Sequence, residues 1–241
     1  MKTLTKNLVA PFAVSVLALG VGQAMAYEAG DVVVRGGYAS VNPDVSSDNV
    51  LDPAVVGGAD NTVDVDDGTA AGISLTYMLG ANLGLEILAA TPFTHDIEGA
   101  DALDGVDIGE TKHLPPTVSL QYNFPIENQI NLYAGIGINY TTFFSEETTT
   151  ELNTTLSTVL TAATGSTVTV TDTDLKLKDS WGLAVSAGVD YQIDDKWGIN
   201  AGLYWIDIDT EAKVAVNGAT ATRFDVEIDP MVYRLNVVYK L

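Results

Sequence analysis

The chain has 241 residues, no cysteine and a formal net charge of −21, from 11 basic and 32 acidic residues. Nucleic-acid binding depends on clustered lysine and arginine, so this charge argues against such a partner. Without cysteine the chain is not a disulfide-stabilised scaffold either. The hydrophobic fraction is 46%, yet no apolar run after residue 26 approaches the ~18 residues that a membrane-spanning helix needs.

The first 26 residues have the features of a secretory signal peptide. Two lysines precede an apolar stretch at 8–21, and Ala24-Met25-Ala26 is a cleavage site of the A-x-A type. A retained membrane helix is the alternative, but the apolar run is short and no stop-transfer charges follow it. We therefore predict a signal peptide at 1–26 and one exported domain at 27–241, in which 9 basic and 32 acidic residues give a net charge of −23.

The exported part contains eight segments of about ten residues in which apolar and polar residues alternate, the period of a β-strand. In the fourth segment, for example, Val118 and Leu120 lie on one side while Ser119 and Gln121 lie on the other. This pattern predicts an all-β fold. The segments are 31–41, 68–79, 83–93, 113–124, 130–141, 179–193, 197–211 and 226–241.

The connections between these segments alternate in length. Three are tight turns, at 80–82, 125–129 and 194–196. Four are predicted to be long loops that are acidic or rich in threonine, at 42–67, 94–112, 142–178 and 212–225. Short turns at one end and long loops at the other are typical of outer-membrane barrels. We therefore predict an eight-stranded antiparallel transmembrane β-barrel with short periplasmic turns and long extracellular loops.

A soluble eight-stranded barrel, such as a lipocalin, is the alternative fold. It would direct its large aliphatic side chains inward and its charges into water. Here the apolar side is edged with aromatic residues, as the girdles at the two membrane interfaces require, and the other side is mainly Gly, Ser, Thr and Asn, which suits a narrow lumen. The aromatic residues are Tyr38, Tyr77, Tyr122, Phe124, Tyr140, Trp181, Tyr191, Trp197 and Tyr239.

Several short stretches resemble the OmpW family of Gram-negative outer-membrane proteins. They follow one another through nearly the whole exported part, as YEAGD, GLEILAATPF, HLPPT, AGIGINYTTFF, LKDSWG, GVDYQI and WIDIDT. The resemblance implies an eight-stranded barrel whose interior is a narrow, rather apolar channel for small hydrophobic molecules. The Thr-rich loop at 142–178, the acidic loops and the C-terminal Leu241, where the family usually ends in Phe, depart from the family pattern.

Strand parity places five charged residues inside the barrel: Arg35, Glu86, Asp190, Arg234 and Lys240. A lumen of eight strands is just wide enough for its own side chains, so the interior is not a wide aqueous pore. A buried charge needs a partner or water. The charges therefore predict an ion-pair network that fills the periplasmic half, and a conducting ion path is the alternative.

The same parity directs Leu88, Ala90 and Tyr204 into the lumen, because Ile87 and Leu203 belong to the lipid face. We predict that Leu88 and Tyr204 constrict the channel. Apolar residues that face a lumen are not needed for lipid contact. They indicate either ordinary packing or a hydrophobic funnel that accepts an apolar solute.

Three prolines, Pro92, Pro115 and Pro116, face one another where the third and fourth strands meet the loop between them. Proline donates no backbone hydrogen bond to a sheet. Within a membrane, missing donors are tolerated only where the backbone meets water or a cavity. The prolines therefore predict a lateral opening through which a hydrophobic solute enters the membrane, and ordinary strand ends around a loop are the alternative.

His95 and His113 are the only histidines. Their spacing matches no metal-ligand motif, so they are predicted to be polar residues of the extracellular rim. The acidic loops lack the D-x-D-x-D-G series of a calcium loop. Ca²⁺ bridging to lipopolysaccharide is nevertheless an alternative to a simple solvated surface. We predict no cofactor, no metal site and no enzyme activity, because neither histidine has a serine beside it in the sequence.

We expect a monomeric outer-membrane barrel that takes up small hydrophobic molecules passively and releases them laterally into the membrane. Its expected partners are outer-membrane lipid, lipopolysaccharide and the solutes, with no nucleic acid. The alternative function is a structural or receptor barrel that acts through its acidic extracellular loops.

Overall fold

A computed structural model describes residues 27–127 and 129–241 of the chain. The predicted signal peptide at 1–26 lies outside the described residues. The helices are a 3₁₀ helix at Pro53–Val56 and α1 at Thr150–Thr164, and no helix in the described part is long and apolar enough to cross a membrane. In chain order the strands are β1 (Val32–Asn42), β2 (Ser46–Ser47), β3 (Asn61–Val65), β4 (Gly68–Met78), β5 (Leu83–Ala90), β6 (Phe93–Asp101), β7 (Asp107–Leu114), β8 (Thr117–Glu127), β9 (Ile130–Thr148), β10 (Thr173–Leu177), β11 (Ser180–Gln192), β12 (Trp197–Ile206), β13 (Asp209–Val216), β14 (Ala219–Glu227) and β15 (Met231–Lys240).

Eight of these strands form a closed antiparallel barrel. Their order around the wall is β11-β12-β15-β1-β4-β5-β8-β9, and a pairing between β9 and β11 closes the ring. The first and last barrel strands are neighbours, with Val33 opposite Lys240 and Asn42 opposite Met231. The predicted eight-stranded barrel is therefore confirmed, and each barrel strand overlaps one of the eight alternating segments.

Apolar side chains cover the outside of this barrel, and polar side chains fill its inside. Leu235 is 66% exposed on the outer wall, whereas Gln121 and Asn139 are completely buried inside. Exposure of so much apolar surface to water is unfavourable by roughly 25 cal/mol per Å². In a bilayer the same wall contacts hydrocarbon. Trp181, one of the aromatic residues predicted for the membrane interfaces, lies on this outer wall.

The strands continue beyond the barrel rim, so the four long extracellular connections contain further strands that the sequence analysis did not predict. One extension adds β7, β6 and β3 beside the outer part of β9, and a separate four-stranded sheet has the order β10-β13-β14-β2. Outward-facing residues of these strands contact water instead of lipid, and they include Asp, Glu, Lys and Thr, as in DTEAKVAV of β13. The alternation of apolar and polar residues is therefore weak in these strands, which is why the sequence analysis did not predict them.

The Thr-rich segment at 142–178 contains α1, although it was predicted to be a loop. Thr149 caps α1 by accepting a hydrogen bond from the Leu152 backbone N–H, and Gly165 ends the helix in the left-handed conformation. Leu152 and Leu156, one turn apart, are both buried. Packing of this leucine pair outweighs the low helix propensity of threonine.

Prolines mark the extracellular ends of three barrel strands. β5 ends before Pro92, β8 begins after Pro115-Pro116, and β15 begins after Pro230. Proline cannot donate to the ladder, so pairing stops although the apolar alternation continues. The predicted segments that continue across a proline are therefore too long at their extracellular ends; they are 83–93, 113–124 and 226–241.

Candidate functional site

An apolar cavity of about 390 Å³ lies beyond the barrel rim. It is inside the region formed by the two extracellular sheets and α1, which we call the extracellular extension. Both extracellular sheets and α1 contribute to its wall, and about half of the lining residues belong to one buried hydrophobic cluster or pack against it. A cavity of this size and chemistry can hold a small hydrophobic molecule. Its wall includes Val63, Ile97, Leu152, Val214 and Phe224.

His95 and His113 line this cavity, so the prediction that they are polar rim residues is wrong. Only 3% of His95 and 6% of His113 is exposed, and the two rings stack with their centroids 4.9 Å apart. Burial, helped by the neighbouring His95, lowers the pKa of His113 to about 3. Burial also lowers the pKa of His95, so both rings are neutral at neutral pH.

A layer of packed apolar side chains, which we call the neck, separates the cavity from the barrel lumen. The neck consists of Leu88, Phe93, Phe143, Tyr204 and Ile206. Phe143 lines the cavity, whereas the Tyr204 hydroxyl donates to the Glu86 carboxylate in the lumen at 3.2 Å. Leu88 and Tyr204, the predicted constriction, are thus both inside the barrel, with exposed fractions of 7% and 1%.

Below the neck, Arg35, Asp190 and Glu86 form a buried charge network. Arg35 donates to the Asp190 carboxylate from Nε at 2.9 Å and from Nη2 at 2.7 Å. Its Nη1 donates to the Thr76 hydroxyl at 2.8 Å and lies 3.8 Å from a Glu86 carboxylate oxygen. Because two hydrogen bonds join Arg35 to Asp190, each of these buried charges is compensated by its partner. An isolated charge at this depth would not be compensated.

Asp190 is the centre of this network. Its carboxylate also accepts hydrogen bonds from the Tyr27 hydroxyl at 2.8 Å, the Asn200 amide at 2.8 Å and the Asn131 amide at 3.4 Å. Together with Arg35, these donors come from three barrel strands, β1, β9 and β12, and from the segment before β1 that contains Tyr27. The lumen at this level is therefore filled by interlocked polar side chains.

Two glycines make room for Tyr133 beside the network. Tyr133 lies opposite Gly188, which in turn lies opposite Gly202. A Cβ atom at Gly188 would overlap the Tyr133 hydroxyl oxygen, and one at Gly202 would be 2.7 Å from it. The Tyr133 ring covers the Arg35 guanidinium at 5.0 Å from its centroid. Side chains larger than glycine would displace this ring from the cation.

Replacing Gly188 by Val should therefore lower the free energy of unfolding by about 1–3 kcal/mol, the usual effect of overpacking. Urea titration of the barrel in lipid vesicles measures this change. Gly36→Val is the matched control, because a Cβ atom at Gly36 meets nothing within 4 Å. Equal losses in the two variants would contradict the role assigned to Gly188.

The remaining two predicted lumen charges lie outside the network. Arg234 is 2% exposed, its guanidinium lies 5.8 Å from the centroid of the Tyr204 ring, and among the described residues its three side-chain nitrogens have no hydrogen-bond partner. Lys240 is near the periplasmic end of β15, with its side chain 23% exposed and 3.8 Å from Asp31. The grouping of Lys240 with the buried charges is therefore corrected, since the end of a strand gives access to water.

The ladder between β5 and β8 is interrupted near the extracellular side of the barrel. Regular pairing stops at Leu88 opposite Thr117 and resumes at Phe93 opposite His113, in β6 and β7. Between these pairs, residues 89–92 face residues 114–116. We call these two stretches the seam.

The three prolines of the predicted lateral opening, Pro92, Pro115 and Pro116, all lie in the seam. Backbone hydrogen bonds continue on either side of the seam. The Thr91 N–H donates to the Ala71 carbonyl of β4 at 2.8 Å, and the Tyr140 N–H of β9 donates to the Pro116 carbonyl at 3.0 Å. Apart from the donor that Pro116 lacks toward β9, the interruption thus affects the contact of β5 with β8. A void of about 20 Å³ lies beside the seam and is lined by Pro115 and by residues of the neck and lumen.

Comparison with known proteins places this geometry in a family, because the OmpW family profile matches residues 28–241. The chain belongs to the OmpW family. Outer membrane protein W of Vibrio cholerae is 41% identical over 227 residues, covering 92% of this chain and 94% of that protein. The crystal structure of OprG from Pseudomonas aeruginosa has a TM-score of 0.74 at 35% identity and covers 90% of this chain and 99% of that chain. The solution structure of Escherichia coli Outer Membrane Protein W has a TM-score of 0.54 at 33% identity, with 89% and 100% covered.

Membership of the OmpW family accounts for the apolar outer wall of the barrel. These relatives are named as outer-membrane proteins, and the chain is an outer-membrane β-barrel whose wall contacts lipid.

Sequence reasoning missed Tyr27, Tyr133 and Asn200 as members of the lumen network. Strand parity gives Tyr133 and Asn200 an inward direction, and this was the signal that could have found them.

Proposed function

We propose that this OmpW-family barrel takes up small hydrophobic molecules passively and releases them sideways into the outer membrane. The observation that carries the proposal is the position of the apolar cavity. It lies in the extracellular extension, above a lumen that the buried charge network fills. An apolar solute can therefore be held at the outer end of the barrel but finds no apolar route to the periplasmic end.

Passage straight through the lumen is the less favourable route for such a solute. It would have to separate the Arg35–Asp190 pair, whose side chains are 0% exposed, and leaving one buried charge without its partner costs about 3–5 kcal/mol. An ion path is disfavoured for the same reason, because the buried Arg35–Asp190 pair would have to separate. The network acts in this proposal as a plug.

The seam offers the alternative exit. It lies at the level of the neck, since Leu88 and Phe93 flank it and belong to that layer. An unpaired stretch of wall is tolerated in a membrane where the backbone faces a cavity, and the void beside Pro115 is such a place. A solute that leaves here enters hydrocarbon without crossing the polar lumen.

Obstruction of the cavity tests the proposal. Ala212 is 2% exposed and lines the cavity, so Ala212→Trp should reduce uptake of naphthalene to the rate of protein-free vesicles. The assay uses vesicles with lipopolysaccharide in the outer leaflet. Ala201→Trp is the matched control, because Ala201 is exposed on the outer wall and its replacement should leave uptake unchanged. Equal uptake by the two variants would refute transport through the cavity and favour a receptor or structural role.

We also infer the partners of the barrel. The apolar wall suits outer-membrane lipid, and the acidic extracellular strands lie at the level of lipopolysaccharide. A closed ring of strands offers no free edge along its full length for pairing with a second copy, which supports a monomer.

A further inference from the structure

Two rungs of the β6–β7 ladder point polar side chains into the apolar cavity. His95 lies opposite Thr111, and the next inward pair, toward the barrel, is Phe93 opposite His113. His95, Thr111 and His113 all line the cavity. Their exposed fractions are 3%, 4% and 6%, so each is more than nine-tenths buried.

The geometry of His95 fixes the role of its second ring nitrogen. Nδ1 lies 2.6 Å from the backbone carbonyl oxygen of Asp66. A carbonyl oxygen only accepts hydrogen bonds, so Nδ1 must carry the proton of the neutral ring. Nε2 is then a bare acceptor that needs a donor.

Among the described residues, three polar atoms of this group have no hydrogen-bond partner: His95 Nε2, His113 Nε2 and Thr111 Oγ1. An unsatisfied polar atom is unfavourable in an apolar cavity. The three atoms are on adjacent rungs of one ladder, and the stacked rings hold the two imidazoles together. A ligand with a polar group at this point would satisfy them.

The groups around the two histidines determine which charge the polar group of a ligand can carry. Both imidazoles are neutral because burial lowers their pKa values, so they offer no cation to an anionic ligand. Asp66, Asp67 and Asp96 lie near His95 and their charges oppose a carboxylate. A cationic ligand would have to give up its hydration in an apolar cavity without a buried carboxylate beside it. A neutral group that donates one hydrogen bond fits these conditions.

We propose that the cavity selects apolar solutes bearing one neutral hydroxyl group, with His95 Nε2 accepting the hydroxyl proton. The Thr111 hydroxyl and the Nε2–H of neutral His113 donate to the oxygen of the same hydroxyl, and the hydrocarbon part of the solute lies against the apolar wall. This inference rests on the proposed uptake function and names the solute class that the cavity prefers: alcohols and phenols over plain hydrocarbons and ethers.

Binding of three naphthalene compounds by the full barrel in lipid nanodiscs tests the preference. Naphthol offers a hydroxyl donor, methoxynaphthalene carries the same oxygen without the donor, and naphthalene has neither. Replacing His95 by Phe should lower the affinity for naphthol relative to methoxynaphthalene by about tenfold, the effect of one lost hydrogen bond in an apolar site. Thr111→Val should reduce the same ratio by a smaller factor while leaving the fold of the ladder unchanged.

Thr94→Val is the matched control, since Thr94 is on the same strand as His95 but is exposed and does not line the cavity, and its ratio should equal that of the unmodified protein. An unchanged naphthol preference in both His95→Phe and Thr111→Val would overturn the inference. If those variants lose the preference but retain naphthalene binding, the inference is supported. If the unmodified barrel binds none of the three compounds, the proposed uptake function fails together with the inference.

Discussion

Replacement of Asp190 by Leu should lower the free energy of unfolding by about 3–5 kcal/mol, the range observed when one partner of a buried ion pair is removed. The change leaves the Arg35 guanidinium, which is 0% exposed, without its bidentate partner. It also removes the acceptor of Tyr27, Asn131 and Asn200. Urea-induced unfolding in lipid vesicles measures the loss.

Two further variants separate this effect from general damage to the barrel. Lys240→Gln removes a pair at the periplasmic rim whose members are about one-fifth exposed, and exposed pairs contribute only about 0–1 kcal/mol. Adding Arg35→Met to Asp190→Leu should restore much of the stability, because a buried pair replaced by apolar residues is often neutral. If Asp190→Leu were no more harmful than Lys240→Gln, the network would not be the stabilising centre of the lumen.

Closing the seam should nearly abolish solute uptake. Pro115→Val restores a backbone donor that faces β5, and Pro116→Thr restores one that faces β9, since the Pro116 carbonyl already accepts from Tyr140 of β9. Each new ladder bond should stabilise the barrel by about 0.5–1.5 kcal/mol. The wall would then be continuous from the periplasmic turns to the extracellular extension. Naphthalene uptake into vesicles should fall, while the small-ion conductance of planar bilayers, which depends on the lower lumen, should not change in parallel.

Pro125→Val provides a control, because Pro125 lies in β8 itself but near its periplasmic turn, away from both the seam and the cavity. Its replacement should leave uptake unchanged. If hydrogen exchange shows that the β5–β8 ladder has closed in the double variant while uptake persists, the prolines are ordinary strand boundaries and the lateral route is wrong.

The barrel itself could be predicted because lipid requires an apolar residue at every second position of each strand. Leu235 and Ile136 meet that requirement on the outer wall. The extracellular strands have water on their outer side, so Ala212 and Val214 of β13 alternate with Glu211 and Lys213, and the segment reads as a polar loop. The position of His95 and His113 inside an apolar cavity depends on these strands, and it could not be predicted without them.

The lumen network could be predicted only in part. Parity directs Arg35 and Asp190 inward, but they belong to β1 and β11, which are not neighbours in the barrel. Their pairing depends on the distance across the lumen, which a single sequence does not contain. Lys240 shows a second limit of strand parity. Parity gives the correct side of the strand for Lys240, but it does not show how close a residue lies to the end of the barrel.

The path of the solute is tested most directly by mapping where a diffusing apolar probe contacts the protein. A naphthalene that carries a photoactivatable diazirine is added from the extracellular side to the barrel in lipid vesicles, and its adducts are located by mass spectrometry after illumination. Exit through the seam predicts adducts on cavity residues such as Phe224 and on the seam residues Ala89 and Leu114. Adducts on Met78 or Asn123, which are buried in the periplasmic half of the lumen, with none at the seam, would contradict lateral release and show that the solute passes the charge network.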